Sequence, residues 1–171
     1  MGKAIVLVII IALVLFGGCV QPSNGGNNLN AEKAAAGDTV SVEYKGTFTD
    51  GTVFDSSEGR EPLEFIAGAG RMIKGFDAAV IGMELNQEKI VTLQPADAYG
   101  EVDQSKIVEI PKENIQNAGE LTVGMSLTSP STGANGIIKE IKENTVIVDF
   151  NHPLAGKTLV FWIKIVGIEK A

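Results

Sequence analysis

The residues best suited to chemistry lie in one stretch of the chain, between Tyr44 and Phe76. Phe54 and Asp55 are adjacent there, and Tyr44 precedes them in an alternating, strand-like segment. The stretch carries large apolar side chains beside one carboxylate and one tyrosine. It has no nucleophile paired with a base and no cluster of metal ligands. This combination favours an apolar pocket with a few oriented polar groups over covalent or metal-assisted catalysis.

The composition argues against several other classes of function. The chain has 171 residues and a formal net charge of −7, which disfavours binding to the phosphate backbone of a nucleic acid. Cys19 is its only cysteine and His152 its only histidine, so neither an internal disulfide nor a cysteine and histidine zinc site can form. A Ser-His-Asp triad would need His152, which lies in a turn-like Asn151-His152-Pro153 run. We therefore expect no nucleic-acid partner, no metal and no cofactor.

Alternating and helical patterns predict the elements that position the candidate residues. Apolar residues alternate from Asp38 to Gly46, and Asp50-Gly51 marks a tight turn before a second strand that contains Phe54 and Asp55. The last strand places Leu159, Phe161, Ile163 and Ile165 on one face and, largely, Val160, Trp162, Val166 and Ile168 on the other. The remaining predicted elements are strands at Leu63–Ile66, Glu88–Pro95 and Thr158–Ile168, with a short helix between Met72 and Met83. Together they predict an antiparallel sheet with one short helix across it, an α+β fold.

The segment 103–151 has strand-like runs of its own. They are Ile107–Ile110, Ser126–Thr128, Gly136–Ile141 and Thr145–Phe150, with a turn at Glu143-Asn144. A segment of this length exceeds an ordinary loop, so the sequence predicts a small, mainly β inserted domain. Such a small domain can bury only part of its many aliphatic side chains. We expect the others to form an exposed apolar patch, which usually marks an interaction surface.

The first residues have the features of a signal rather than of a folded domain. Lys3 precedes the unbroken apolar run Ala4–Phe16, which is shorter than the roughly 20 residues of a membrane-spanning helix. Residues 1–18 are therefore predicted to be a signal peptide. Gly17-Gly18-Cys19 resembles the cleavage box of a lipoprotein signal, in which Cys19 carries the lipid, although Phe16 stands where an aliphatic residue is usual. The alternative is an uncleaved anchor.

Residues 19–37 are rich in glycine, asparagine and serine up to Asn28 and are predicted to form a flexible tether. With either reading of the N-terminus, the folded part lies outside the cytoplasm and is attached to the membrane. We expect residues 38–102 and 152–171 to form one domain around the insert, and the chain to be a monomer.

The order and spacing of these motifs resemble the FKBP-type peptidyl-prolyl isomerases. The motifs are Tyr44-Lys45-Gly46, Asp50-Gly51, Val53-Phe54-Asp55-Ser56-Ser57, Arg60, Pro62, Ile73-Lys74-Gly75-Phe76 and Asp97-Ala98-Tyr99-Gly100. The insert and the return Asn151-His152-Pro153-Leu154-Ala155-Gly156 resemble the SlyD-like branch, whose insert-in-flap domain grips unfolded chains. The resemblance implies a half-barrel sheet wrapped on the helix. It also implies catalysis of cis-trans exchange at X-Pro bonds.

The resemblance also implies which residues line a proline-binding basin. Catalytic roles fall on Tyr44, Phe54, Asp55, Tyr99 and Phe161, and substrate-binding roles on Leu63, Met72, Ile73, Phe76 and Leu154. Tyr99 would donate to a substrate carbonyl, and Asp55 would contribute an oriented charge near the twisting bond. Leu63 and Phe76 depart from the aromatic residue and the tryptophan common in the family, which implies a reshaped but still apolar pocket.

Two functions of different kinds follow from these patterns. In the first, the protein is an extracytoplasmic prolyl isomerase whose insert binds unfolded, proline-containing polypeptides and delivers them to the basin. In the second, it is a membrane-tethered chaperone or peptide-binding module with weak or no isomerase activity.

Overall fold

A computed structural model describes residues 32–115, 118–129 and 132–171. The predicted signal peptide 1–18, Cys19 and the tether up to residue 31 lie outside the described residues. Within the described part, no helix is both long enough and apolar enough to cross a membrane.

The described chain contains nine strands and one α-helix, α1 (Lys74–Val80). In chain order the strands are β1 (Thr39–Phe48), β2 (Val53–Ser56), β3 (Leu63–Ile66), β4 (Glu88–Leu93), β5 (Ile107–Pro111), β6 (Ser126–Thr128), β7 (Asn135–Ile141), β8 (Thr145–Asp149) and β9 (Leu159–Glu169). They form two antiparallel sheets. The first has the order β2-β1-β9-β4, with β3 also paired to β1, and the second has the order β5-β8-β7-β6.

The first sheet is built from the alternating patterns of β1 and β9. Val40 and Val42 are fully buried, and so, nearly or completely, are the predicted inner residues of β9: Leu159, Phe161, Ile163 and Ile165. The helix α1 packs against β4 and β9, and its Phe76 and Val80 complete the core. The predicted α+β arrangement, an antiparallel sheet with one short α-helix, is confirmed.

A bulge near the end of β9 changes which side chains face the core. Ser41 pairs with Gly167 and Val42 with Ile165, so Val166 has no counterpart on β1. One extra residue inverts the two-residue alternation beyond it. Ile168 therefore lies opposite Val40 and packs against the core. The prediction that put Ile168 on the outer face is wrong for this reason.

The segment before β1 belongs to the fold. Ala34 is 2% exposed, its N–H donates to the carbonyl of Met83 at 2.8 Å, and its own carbonyl accepts from Gly82 at 2.7 Å. The carboxylate of Asp38 accepts from the N–H of Ala35 at 2.7 Å and from Lys170 at 2.8 Å. Residues 32–37 are thus held both by the chain just after α1 and by the C-terminus. The prediction that they belong to a flexible tether is wrong for this reason.

The second sheet has a core of its own. Its strands all lie within the segment 103–151, and Ile138, Val146 and Val148 are fully buried between them. The chain enters and leaves this segment side by side, because Asn151 exchanges two hydrogen bonds with the backbone of Asp103, both at 2.9 Å. The predicted strand positions in this segment are confirmed to within one residue at each end.

Candidate functional site

Four aromatic rings form a continuous cluster on the inner face of the first sheet. The ring of Phe161 on β9 lies 5.3 Å from Phe76 and 5.7 Å from Phe54, at interplanar angles of 78° and 87°. Tyr44 contacts Phe76 at 6.0 Å and 87°. Edge-to-face rings at these distances attract one another and keep defined orientations. The structure therefore brings Tyr44, Phe54, Phe76 and Phe161 together as predicted.

Gly46 allows two of these rings to meet. It lies on β1 directly opposite Phe161 and beside the bulge that Phe54 forms on β2. A Cβ atom at this position would lie 2.6 Å from Cζ of Phe54 and 3.0 Å from Cε1 of Phe161. Any side chain here would displace a ring, so glycine is required by close approach and not by its backbone angles.

Asp55 is held at the rim of the ring cluster by two partners. The hydroxyl of Tyr44 donates to Oδ2 of Asp55 at 2.6 Å, and Nη2 of Arg60 donates to Oδ1 at 2.6 Å. Arg60 also donates to the carbonyl of Ser56 and lies 3.4 Å from the hydroxyl of Tyr44. The carboxylate is about half exposed, so one side of it is open to solvent and to a ligand.

These contacts set the protonation states of the pair. The hydrogen bond from Tyr44, aided by Arg60, holds the pKa of Asp55 below its ordinary value despite partial burial. Desolvation, followed by the bond to Asp55, raises the pKa of Tyr44 above its ordinary value. At neutral pH, Asp55 is therefore an anion, and Tyr44 keeps its proton and donates it.

Ser57 fixes the backbone that carries Tyr44. Its hydroxyl is buried, accepts from the N–H of Tyr44 at 2.9 Å and lies 3.3 Å from the Tyr44 carbonyl. The N–H of Ser57 donates to the same carbonyl at 2.9 Å. Three contacts thus continue the β1–β2 pairing past the end of β2 and hold Tyr44 beside Asp55.

The predicted substrate-binding residues border the same core. Phe76 is one of them and lies in the core itself, at 2% exposure. The other four are only partly buried and pack against the core cluster that contains Phe76 and Phe161; they are Leu63, Met72, Ile73 and Leu154. They come from three separate parts of the chain, namely β3, the two residues before α1 and the segment before β9. Their partial exposure leaves apolar surface available beside the rings.

Tyr99 lies in a different environment. It follows the 3-10 turn Pro95–Asp97 and is 36% exposed, and its ring stacks on the ring of His152 at 4.1 Å and 5°. The structure thus places Tyr99 against the return from the segment 103–151. Leu154 connects the two regions, because its N–H donates to Nδ1 of His152 at 3.1 Å while its side chain packs on the core.

Sequence reasoning assigned no site role to Gly46, Ser57, Arg60 or His152. Arg60 appeared only as part of a motif, although a cation five residues after Asp55 in the same loop could have suggested an ion pair. His152 appeared in a possible triad and as part of the return motif Asn151-His152-Pro153-Leu154-Ala155-Gly156, without a site role. Its contact with Tyr99 joins residues 53 positions apart in the sequence, and no local pattern reports such a contact.

A second candidate site lies on the other sheet. It is a groove of about 910 Å³, and most of its larger side chains are apolar: Val108, Ile110, Ile115, Leu127 and Phe150. Lys106 and Asn114 contribute polar groups to its lining. Val108, on β5, is 40% exposed, so the apolar lining is open to solvent. This is the apolar surface that the composition of the segment predicts.

The fold and the first site define a class of protein. An antiparallel sheet with one helix carries an aromatic, apolar basin and a fixed carboxylate, which suits the binding of an apolar ring and the twisting of the amide bond attached to it. Residues 30–166 match the model of the FKBP-type peptidyl-prolyl cis-trans isomerases, and the chain belongs to this family. The predicted isomerase activity is confirmed at this level.

The chain is also similar to individual members of the family. It is 41% identical over 150 residues to the short-type peptidyl-prolyl cis-trans isomerase of Methanocaldococcus jannaschii, covering 79% of this chain and 94% of that protein. It is 33% and 32% identical, over 141 residues each, to the FKBP-type isomerases SlyD of Escherichia coli strain K12 and Pasteurella multocida. Those matches cover 81% of this chain and 72% and 71% of the relatives. The predicted likeness to SlyD-type proteins is confirmed.

Proposed function

We propose that this isomerase acts on X-Pro bonds of unfolded polypeptides outside the cytoplasm, with the aromatic cluster as its basin and the groove of the second sheet as a holding site. The observation that carries the proposal is the basin itself. Three phenylalanine rings and Tyr44 meet edge to face beside an ionised, doubly hydrogen-bonded Asp55.

The reaction needs no covalent chemistry. Amide resonance keeps the X-Pro bond planar behind a barrier of about 20 kcal/mol, and exchange takes tens to hundreds of seconds. In the twisted transition state the amide loses its charge-separated resonance form and becomes less polar. An apolar basin therefore binds the transition state better than the ground state. A difference of about 4 kcal/mol corresponds to roughly a thousandfold in rate.

The polar groups orient the substrate. Asp55 is fixed by Tyr44 and Arg60 and stays charged, so it supplies a negative field at one place and exchanges no proton with the substrate. We assign to Tyr99 the donation of its hydroxyl proton to a substrate carbonyl. Leu63, Met72, Ile73 and Leu154 would contact the proline and its neighbours, since they are partly exposed apolar residues that pack against the core containing the rings.

The groove would bind apolar segments of the same polypeptide. A chain held there has its X-Pro bonds at a raised local concentration near the basin, which increases turnover without any change in the basin. Support comes from the volume of the groove, about 910 Å³, and from its apolar lining. The second candidate function is the holding of unfolded polypeptides without catalysis by the basin. The volume and apolar lining of the groove support this function as well.

The proposed location rests on the first 19 residues. Their charged start, short apolar run and Gly17-Gly18-Cys19 sequence favour a lipid on Cys19 after removal of residues 1–18, with an uncleaved anchor as the alternative. Expression of the full chain with a radiolabelled fatty acid tests the first form. Label on the wild type but not on Cys19→Ser supports lipidation, and absence of label with membrane retention supports the anchor.

The central experiment measures cis-trans exchange of a short proline peptide and refolding of a proline-limited protein by residues 30–171. We expect Tyr99→Phe to reduce both rates by about tenfold or more, the loss expected for one oriented donor. Wild-type rates indistinguishable from the uncatalysed reaction would overturn the enzyme proposal and leave the holding function.

The two sites are separated by a matched pair of variants. Val108→Asp places a charge in the groove, whereas Val123→Asp places one on a 63% exposed valine of the same segment that does not line the groove. We expect Val108→Asp to slow protein refolding and leave peptide exchange unchanged, and Val123→Asp to affect neither. Equal effects of the two variants on refolding would remove the groove from the proposal.

A further inference from the structure

His152 is stacked on the residue to which the proposed function assigns substrate binding. The two rings are 4.1 Å apart and within 5° of parallel, so the imidazole covers one face of the Tyr99 ring. His152 is exposed and Tyr99 is 36% exposed. A contact between two exposed rings contributes little to the core, and a function other than core packing has to explain it.

The imidazole of His152 is itself held in one orientation. Pro153 follows it and restricts its backbone to extended conformations. Its Nδ1 accepts the N–H of Leu154 at 3.1 Å, and its carbonyl accepts the N–H of Ala155 at 2.8 Å. An Nδ1 that accepts a backbone hydrogen bond carries no proton, so the neutral ring has its proton on Nε2. The plane that faces Tyr99 is therefore fixed by backbone contacts.

The residue before His152 fixes the position of this turn. Asn151 donates from Nδ2 to the carbonyl of Asp103 at 2.9 Å and to Oδ1 of Asp149 at 2.8 Å. Its Oδ1 accepts the N–H of Asp103 at 2.9 Å. Gly156 donates to the carbonyl of Gly100, directly after Tyr99, at 2.8 Å. The two passages of the chain between the sheets are thus locked together on both sides of the ring pair.

We propose that His152 is a positioning residue for prolyl isomerisation, which holds the Tyr99 ring so that its hydroxyl faces the substrate carbonyl. An exposed tyrosine without a neighbour samples several rotamers, and only one of them places the hydroxyl correctly. The stack restricts Tyr99 to one rotamer before the substrate arrives. The entropy cost of ordering the Tyr99 side chain therefore does not add to the activation free energy. This inference rests on the proposed role of Tyr99.

The test compares five variants of the full-length chain in a peptide exchange assay. His152→Ala removes the stack and His152→Phe keeps a flat ring in its place. We expect kcat/KM to fall about three- to tenfold in His152→Ala, mainly through kcat, and to recover in His152→Phe. In a Tyr99→Phe background, His152→Ala should cause no further loss, because the hydroxyl that it positions is already gone. Glu101→Ala, an exposed residue two positions from Tyr99, is the matched control and should behave as wild type.

A structural role would give different results. If His152 only stabilised the loop, the losses of Tyr99→Phe and His152→Ala would be additive and the melting temperature would fall with activity. We expect His152→Ala and His152→Phe to melt at similar temperatures, because both lose the Nδ1 acceptor of the Leu154 N–H, and to differ in activity. We also expect a shift of the Tyr99 ring proton resonances in His152→Ala, with return toward the wild-type positions in His152→Phe. Additive losses or unshifted resonances would overturn the proposal.

The experiment also separates this inference from the proposed function. No catalysis by the wild type, or full activity of Tyr99→Phe, refutes the proposed role of the basin or of Tyr99, and the inference falls with it. An active wild type, an impaired Tyr99→Phe and a fully active His152→Ala refute the inference alone.

Discussion

Substitution of Gly46 by alanine tests whether ring placement in the basin controls the activity. The new Cβ would lie 2.6 Å from Phe54 and 3.0 Å from Phe161, so one or both rings must move by several tenths of an ångström to reach ordinary contact. Overpacking of this kind costs about 1–3 kcal/mol. Loss of glycine's freedom in the unfolded chain returns about 0.4–1 kcal/mol. The net expectation is a loss of stability of about 1–2 kcal/mol, together with displaced basin walls.

Gly51→Ala is the matched control. Gly51 has φ +87 in the turn between β1 and β2, and a Cβ there would meet nothing within 4 Å. The strained backbone costs about 1–2 kcal/mol, similar to the loss expected for Gly46→Ala. The two variants should therefore melt at similar temperatures, about 2–4 °C below wild type for each kcal/mol. Only Gly46→Ala should lose activity.

Peptide exchange at a temperature where all three proteins are folded decides the matter. We expect kcat/KM of Gly46→Ala to fall about tenfold or more, since small misplacements of binding groups cost that much, and Gly51→Ala to keep wild-type activity. Full activity of Gly46→Ala would show that the rings can move without consequence, and equal losses in both variants would mean that stability alone is responsible.

Three further predictions follow from individual contacts. Tyr44→Phe removes the hydrogen bond that does most to lower the pKa of Asp55. The pKa of Asp55 should therefore rise, and the acid limb of the kcat/KM profile should move to higher pH. Superimposable pH profiles of the variant and the wild type would contradict a role for the carboxylate. Asp77→Ala leaves the N–H groups of Gly68 and Gly70 without their carboxylate acceptor. The free energy of unfolding, measured by urea denaturation, should fall by about 1–3 kcal/mol, and by less in Asp77→Asn, which keeps one acceptor oxygen. Equal losses in the two variants would contradict this role of the carboxylate. Lys170→Met removes the main cause of the lowered pKa of Asp38. A carboxyl whose pKa is lowered in the folded state stabilises the fold at pH values above its ordinary pKa of 3.8, and this stabilisation is lost as the pH falls through the lowered pKa. Lys170→Met should therefore be less stable than wild type at pH 7 and approach wild-type stability in acid. A difference in stability that does not change with pH would exclude the ion pair as its cause.

The elements of the fold were largely predictable because local patterns determine them. The alternation of β1 and β9 follows from burial of one face, and Asp50-Gly51 gives the turn that a hairpin requires. The bulge at Val166 was not predictable, since Val166, Gly167 and Ile168 read as a continuous strand and only the pairing with β1 shows the extra residue. Residues 32–37 were misjudged because they continue from the glycine- and asparagine-rich run and carry no large apolar side chain, although backbone hydrogen bonds to residues 82–85 hold them.

The site was predictable in composition and less so in geometry. The family motifs gave the rings and Asp55, and the structure brings these together. The partners of Asp55 and Tyr99 were not assigned, because hydrogen bonding by Arg60 and stacking by His152 depend on how loops fold back. Such contacts leave no periodic signal in the sequence, and only the three-dimensional arrangement reports them.

The pairing of β1 with β9 has a consequence for the order in which the chain acquires structure. Thr39 lies opposite Glu169 and Phe48 opposite Leu159, so the central pair of the first sheet joins the two ends of the described chain. The second sheet needs only residues 107–149. Because contacts between distant residues form late, we expect the second sheet to form first when the chain folds. The apolar groove would then exist while β1 and β4 still lack β9, the strand that lies between them. The part proposed to hold unfolded polypeptides would therefore be folded while the rest of its own chain is still unfolded.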